Sequence, residues 1–271
     1  MRVLVLGGTG MLGSQLCKSL RRFDLWTICR SNREVIRGRT LQANALNFNR
    51  MKHAIRSVGP DVVINAVGLI KQRVSPELDF IQLNAAFPHQ LAKLCLNDGM
   101  RLIHISTDCV FSGKNGYYTE EDRPDPVDVY GMTKVLGEIG SPHLTIRTSI
   151  IGRELNTKYG LLEWFLSQKR CEGFRRSIFS GLTTLELSNV IKYSIEHELQ
   201  GLYHVAGPFI SKWELLHEIN DVYKAGIDIK EVEGVHCDRT LDDSKFRAAT
   251  GLQKKSWQQM LEEMQNYDND V

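Results

Sequence analysis

No Cys-x-x-Cys pair and no histidine pair at ligand spacing occurs in this sequence, which excludes a structural zinc site of the finger or ribbon kind. The six cysteines, Cys17, Cys29, Cys95, Cys109, Cys171 and Cys237, are scattered and read as free thiols. Four of them fall in apolar strand or helix patterns, where small buried cysteine is ordinary. No apolar run approaches the length of a membrane span, so no membrane partner is expected. Charge of one sign is also missing: 34 Lys and Arg stand against 32 Asp and Glu, with no like-charge block suited to a polyanion. Nucleic acid is therefore not an expected partner. Internal repeats and low-complexity linkers are absent too. The chain opens directly into an apolar strand with glycines at once behind it, leaving no room for a signal-peptide apolar region. A reducing, cytoplasmic setting is expected.

What is present is alternation. With 271 residues the chain suits one α/β domain carrying a smaller lobe, or two domains. Short apolar runs at 2–6, 25–29, 40–43, 61–65, 101–106 and 143–148 read as strands. Amphipathic stretches at 11–22, 48–58, 78–97 and 126–140 read as the helices between them. This is the pattern of parallel strands joined by crossover helices, and it predicts a doubly wound, Rossmann-type sheet over residues 1–150. Beyond residue 150 the alternation fades. Helical stretches at 159–170, 183–198, 211–224 and 256–267, with extended pieces such as Leu202-Tyr203-His204-Val205, predict a smaller lobe over 151–271. That lobe is expected to cover the carboxyl edge of the sheet and to be partly interleaved with the first domain.

The residues that carry chemistry fall at strand ends or on the helices that follow. Gly7-Gly8-Thr9-Gly10-Met11-Leu12-Gly13 joins the first strand to the first helix. Glycines there let the backbone turn, approach a pyrophosphate and present the N–H groups of Met11 and Leu12 at a helix start. In such sites an acid after the second strand holds the adenosine ribose, whereas a base accepts a 2′-phosphate. Here Arg30-Ser31-Asn32-Arg33 follows Cys29, which favours NADPH and leaves NADH open. Tyr130 and Lys134 lie one helical turn apart, so an ammonium sits beside a phenol and favours its ionised form. A phenol so tuned serves as proton donor to the alkoxide formed when hydride reaches a ketone, and the Thr107 hydroxyl is a candidate to hold the same oxygen.

With these residues in view, the chain resembles the extended short-chain dehydrogenase/reductases and, within them, the dTDP-4-dehydrorhamnose reductase group. The likeness rests on GGTGMLG (7–13), INAVG (64–68), STDCVFSG (106–113), YGMTK (130–134), RTSI (147–150) and the stretch Asp238–Asp242. The resemblance implies that Tyr130 protonates, Lys134 binds the nicotinamide ribose and tunes Tyr130, and Thr107 polarises the substrate carbonyl. It also implies that Ala66 and Gly68 lie against the adenosine half of the cofactor, with Asn44 and Leu46 near the adenine. The substrate implied is a nucleotide-diphosphate sugar of the 4-keto-6-deoxy class, with Asp108, Cys109 and Ile150 beside it; Arg239 is a candidate to reach the diphosphate. A homodimer is left open.

Two positions depart from the group, which carries tyrosine in place of Cys109 and tryptophan in place of Ile150. GDP-fucose synthases, relatives that epimerise before reducing, carry a cysteine at the first of these and use it with a downstream histidine. Segment 149–180 of this chain contains no histidine, so Cys109 reads as pocket wall first and proton shuttle second. A non-catalytic reading stays open as well, because regulatory subunits of methionine adenosyltransferase resemble the same group. His104 reads as a packed strand residue, Trp164, Trp213 and Trp257 as packing residues, and Lys245 as a second candidate for the diphosphate.

Overall fold

The computed structural model describes residues 1–30, 39–72, 75–155 and 157–269. In chain order come β1 (Arg2–Leu6), α1 (Met11–Ser19), β2 (Asp24–Cys29), β3 (Arg39–Gln42), α2 (Phe48–Val58), β4 (Val62–Asn65) and α3 (Glu77–Phe80). A π-helical stretch at Ile81–Ala86 leads into α4 (Phe87–Asn97), then β5 (Arg101–Ile105), α5 (Val129–Leu136) and β6 (Leu144–Arg147). There follow β7 (Ile150–Ile151), α6 (Leu161–Leu166), β8 (Arg170–Phe174), β9 (Ser177–Phe179), β10 (Leu182–Thr183), α7 (Thr184–Glu196) and β11 (Gly201–His204). The chain closes with β12 (Ile210–Ser211), α8 (Lys212–Tyr223), β13 (Asp228–Val232), β14 (Cys237–Asp238), α9 (Ser244–Thr250) and α10 (Trp257–Asn269).

The main sheet has seven strands in the order β11-β6-β5-β4-β1-β2-β3. The pairings from β3 through to β6 are all parallel. The chain winds outward from β1 to β3, returns, and winds the other way from β4, so the topological switch point lies between β1 and β4. Ligands of open α/β sheets bind outside the carboxyl ends of the strands at such a point. The expected Rossmann-type sheet is thus present.

The strand runs read in the sequence form because both faces are covered. Val3, Leu4, Val5 and Leu6 are fully buried, as continuous apolar runs of parallel strands are. Leu4, Leu6 and Ile28 pack with Met51 and Ile55 of α2 and Phe87 and Leu91 of α4 in one core cluster. Each such side chain contributes about 1.5–3 kcal/mol on burial. α2 starts where the Asn47 side chain accepts the Arg50 N–H and stops at Gly59, whose φ of 57° suits a residue without Cβ.

Three expectations are corrected. Helix 159–170 contracts to Leu161–Leu166, and Arg170 instead begins the strand Arg170–Phe174, which pairs in parallel with β13 some sixty residues on; a distant partner strand overrides local periodicity. Helix 126–140 contracts to Val129–Leu136, bounded by the Asp128 cap and Gly137. The piece around Leu202–His204 joins the main sheet as its outermost strand on the β6 side, a non-local pairing invisible to a window of sequence.

The chain forms two compact units, neither of them one continuous stretch. The first comprises Met1–Ser106, Pro126–Ile146 and Ser188–Leu202; the second comprises Thr107–Asp125, Arg147–Leu187 and Tyr203–Val271. The first holds most of the main sheet. The second holds the small β7/β10, β8/β13 and β12-β9-β14 sheets with α8 and α10 packed together.

Candidate active site

In the first unit the glycine loop joins β1 to α1 at the switch point. Gly7 has a φ of +86°, and its N–H donates to Ile28 O (2.9 Å) while its own carbonyl accepts the Gly10 N–H (2.9 Å). A Cβ at Gly13 would drive into the Gly7 carbonyl, so that glycine lets helix and loop touch. Gly10 differs: an added Cβ would meet only Gly7 O, at 3.4 Å, an ordinary contact. The chain itself does not require glycine at 10, whereas close approach by a diphosphate would. α1 begins at Gly10 with no side-chain cap and no acid in its first turn, which leaves Met11 and Leu12 at a helix start of positive potential. These features fit a dinucleotide.

Arg30 follows β2, exposed, with its carbonyl accepting Gln42 Nε2 (3.2 Å). Residues 31–38, Arg33 among them, lie outside the described residues. Beyond β3, Asn44 folds a turn by accepting the Leu46 N–H on Oδ1 (3.1 Å), and Leu46 is left 42% exposed. After β4, Ala66 and Val67 abut the glycine loop: a Cβ on Gly7 would meet Ala66 O at 3.1 Å and Val67 Cγ2 at 3.2 Å. Gly68 faces Asn84, whose Oδ1 would stand 3.2 Å from a Cβ there.

Asn84 belongs to none of the motifs legible in the sequence. Buried on the π-helical stretch, it accepts the Leu69 N–H (2.8 Å) and donates to Leu69 O (3.0 Å) and Thr133 Oγ1 (3.3 Å). It therefore ties the loop after β4 to α5. The available signal is an Asn within the mainly apolar stretch Ile81–Phe87, which also holds Gln82, and π turns concentrate at functional sites. Gly137 at the end of α5 packs onto the Asn84 carbonyl, where a Cβ would collide with it.

On α5, Asp128 accepts the Gly131 N–H (2.7 Å) and starts the helix that carries Tyr130 and Lys134 on one face. Lys134 is only 5% exposed and donates from Nζ to Ile105 O (2.6 Å). Burial pulls its pKa from 10.5 down to about 8, with the Glu138 carboxylate acting the other way. Glu138 in turn accepts the Ser106 hydroxyl (2.7 Å). The lysine is thus fixed by a backbone carbonyl rather than left to sample solvent. Tyr130 is half-buried in the first turn of the same helix.

In the second unit Thr107 caps a 3₁₀ turn over Asp108–Val110. Its Oγ1 accepts the Cys109 N–H (3.1 Å) and donates to Asp108 Oδ1 (3.1 Å). Asp108 is buried, and loss of solvation raises its pKa while the nearby Arg239 charge opposes the rise. Arg239 donates to Phe111 O (2.9 Å) and to Cys109 Sγ (3.5 Å), so Asp108, Cys109 and Arg239 do come together. Ile150 is half-buried in β7 and paired in register with Leu182. Lys245 sits over the Tyr203 ring, 5.3 Å from its centroid. Trp257 is a packing residue, its Nε1 donating to Pro208 O (2.9 Å).

Arg147 is visible in the sequence only as the first letter of RTSI, and its role comes from the fold. This buried arginine donates to His204 Nε2 (3.2 Å) and lies over the Phe111 ring at 5.3 Å. His204 Nδ1 faces Tyr118 O (3.0 Å), and burial beside Arg147 lowers its pKa to about 4, so it is a neutral structural link. Among the described residues no group of His, Cys, Asp and Glu is arranged to hold a metal, and no helix is long and apolar enough to cross a membrane.

Strand order, a glycine loop at the switch point and a Tyr/Lys helix beside it define a doubly wound α/β protein of the Rossmann type. Residues 1–170 match the family described as RmlD substrate binding domain, and the chain belongs to that family. The likeness to dTDP-4-dehydrorhamnose reductases read from the sequence is borne out at that level. Among curated proteins, the chain is 36% identical over 139 residues to methionine adenosyltransferase 2 subunit beta of Mus musculus, covering 51% of this chain and 41% of that one. The match thus spans about two fifths of that relative's length. Spore coat polysaccharide biosynthesis protein SpsK of Bacillus subtilis is 29% identical over 224 residues, 78% of this chain and 75% of its own. Among solved structures, a hypothetical dTDP-4-dehydrorhamnose reductase from Sulfolobus tokodaii superimposes with a TM-score of 0.80 at 29% identity, covering 92% of this chain and 94% of that one. The dTDP-4-dehydrorhamnose reductase of Bacillus anthracis, solved in complex with NADP, does so at 0.84 and 21% identity over 98% of both chains.

Proposed function

We propose that this protein is an NADPH-dependent reductase of a nucleotide-linked 4-keto-6-deoxysugar. The observation that carries the reading is the buried Lys134, held by Ile105 O one helical turn from Tyr130. A buried ammonium is expensive to keep, and a structural role alone would be served by an apolar residue of the same volume. Gly7, Gly10, Met11 and Leu12 would hold the cofactor diphosphate, Ala66, Gly68, Asn44 and Leu46 its adenosine half, and Arg30 its 2′-phosphate. Bound NADPH would supply the hydride. Tyr130 then donates a proton to the oxygen of the former ketone, Lys134 orients the ribose and lowers the phenol's pKa, and Thr107 hydrogen-bonds the same oxygen. Arg239, Asp108, Cys109 and Ile150 line the sugar nucleotide.

Tyr130→Phe tests this directly. Turnover of a 4-keto sugar nucleotide should drop by about 10²-fold or more, while NADPH affinity stays near wild type. Turnover near the wild-type rate in that variant would sink the proposal.

The similarity to methionine adenosyltransferase 2 subunit beta favours one second reading, a regulatory subunit that binds the nucleotide without turning it over. NADPH binding with no oxidation across a panel of 4-keto sugar nucleotides would select it. The epimerase-reductase alternative depends on Cys109, whose sulfur takes a hydrogen bond from Arg239.

A further inference from the structure

His104 and Asn65 form a buried pair whose hydrogen-bond directions can be assigned from a single fixed donor. The Val67 N–H can only donate, and it lies 3.2 Å from Asn65 Oδ1. That fixes the amide, so its Nδ2 group faces His104 Nδ1 at 3.1 Å. An amide nitrogen can only donate, and His104 Nδ1 must therefore accept. The ring proton then sits on Nε2. That nitrogen is buried and has no partner among the described residues, an arrangement that ordinarily costs stability. Asn65 is 1% exposed and His104 is fully buried, so water does not compete for the pair.

We propose that His104 is a positioning residue for the cofactor: through Asn65 it locks the Ala66-Val67-Gly68 loop in the shape that meets the glycine loop and receives the adenosine half of NADPH. The inference rests on the reading above that NADPH is the cofactor. Three observations support it. Ala66 O and Val67 Cγ2 are the atoms that a Cβ on Gly7 would meet, at 3.1 and 3.2 Å, so the two loops abut and a rotated Asn65 amide would disturb the diphosphate loop as well. His104 stays neutral, because burial and the Lys134 charge hold its pKa well below the ordinary value, and only the neutral ring accepts at Nδ1. Finally, a histidine kept solely to fill space would gain from exchange for an apolar residue, which would remove the orphaned Nε2–H.

Substitutions at 104 separate acceptor from volume. Asn places an oxygen where Nδ1 stands, Gln carries its oxygen one bond too far, and Leu fills space with no acceptor. Purified full-length variants are titrated with NADPH by fluorescence and melted in parallel. His104→Asn should bind within about twofold of wild type even if it melts lower. His104→Leu and His104→Gln should bind about tenfold more weakly, the loss expected for one buried donor left unpaired. Wild-type affinity in His104→Leu, or affinity that merely tracks melting temperature across the three, would overturn the inference. A second readout needs no cofactor. The ¹⁵N spectrum of the wild-type protein should show His104 protonated at Nε2 and bare at Nδ1, and the Val67 amide should lose exchange protection in His104→Leu. A proton at Nδ1, or an unchanged Val67 amide, would refute it. If wild type fails to bind NADPH at all, the cofactor reading falls, and the NMR result still decides the role of His104.

Discussion

At Lys134 the environment sets the chemistry. Its ammonium has exchanged water for one carbonyl and a neighbouring carboxylate, and the pKa falls from 10.5 to about 8. The consequence for stability has a definite sign. Below about pH 8 both folded and unfolded chains are protonated there, and the folded chain bears the full burial penalty. Between about 8 and 10.5 the unfolded chain still holds a proton that the folded one has released, so stability rises with pH across that window. Urea unfolding followed through the window should show this rise in the wild type and its absence in Lys134→Met. The difference is of the order of 2–3 kcal/mol. Parallel curves for the two proteins would mean that Lys134 is solvated in the folded state.

Helices and loops meet through glycines whose roles differ sharply. Gly137 lets α5 touch the Asn84 carbonyl, so Gly137→Ala should destabilise the protein by about 1–3 kcal/mol, because backbone must move to admit the methyl. Gly140, with nothing within 4 Å of the place an alanine methyl would take, is the control and should be near neutral. Gly10→Ala should likewise melt within a degree or two of wild type, roughly neutral for an unhindered site, yet lose NADPH affinity tenfold or more, roughly the effect of blocking one close backbone contact. Thermal melts paired with cofactor titration separate the two kinds of glycine. Loss of stability without loss of binding in Gly10→Ala would show that the loop glycine is architectural.

For the molecule as a whole, the proposed preference for NADPH rests on the charge that follows β2. Arg30 stands where an acid would favour NADH. Arg30→Ala should therefore raise the Michaelis constant for NADPH far more than for NADH, a loss of about 1–3 kcal/mol for a charge-assisted contact. Equal changes for the two cofactors would remove Arg30 from the site. The same measurement in rising salt should narrow the gap, since Arg30 is exposed and its charge is open to screening.

Taken by itself, the sequence determined the wound sheet, the glycine loop and the Tyr130/Lys134 helix, because each is written in short-range signals: apolar runs, glycines at a strand end, a four-residue spacing. Arg239 was legible as a candidate for a diphosphate, and the structure alone placed it beside Cys109. Only tertiary structure decided that Gly201–His204 completes the main sheet, that Arg170 begins a strand, and that Asn84 clamps Leu69 to Thr133. Those depend on partners 15 to 58 residues away, as with Leu69 to Asn84 and Arg170 to Asp228, and no local window holds them. His104 shows the limit most plainly. Its strand was legible, but the direction of its hydrogen bond was fixed by a backbone N–H on a different strand's loop, and only the folded chain brings the two together.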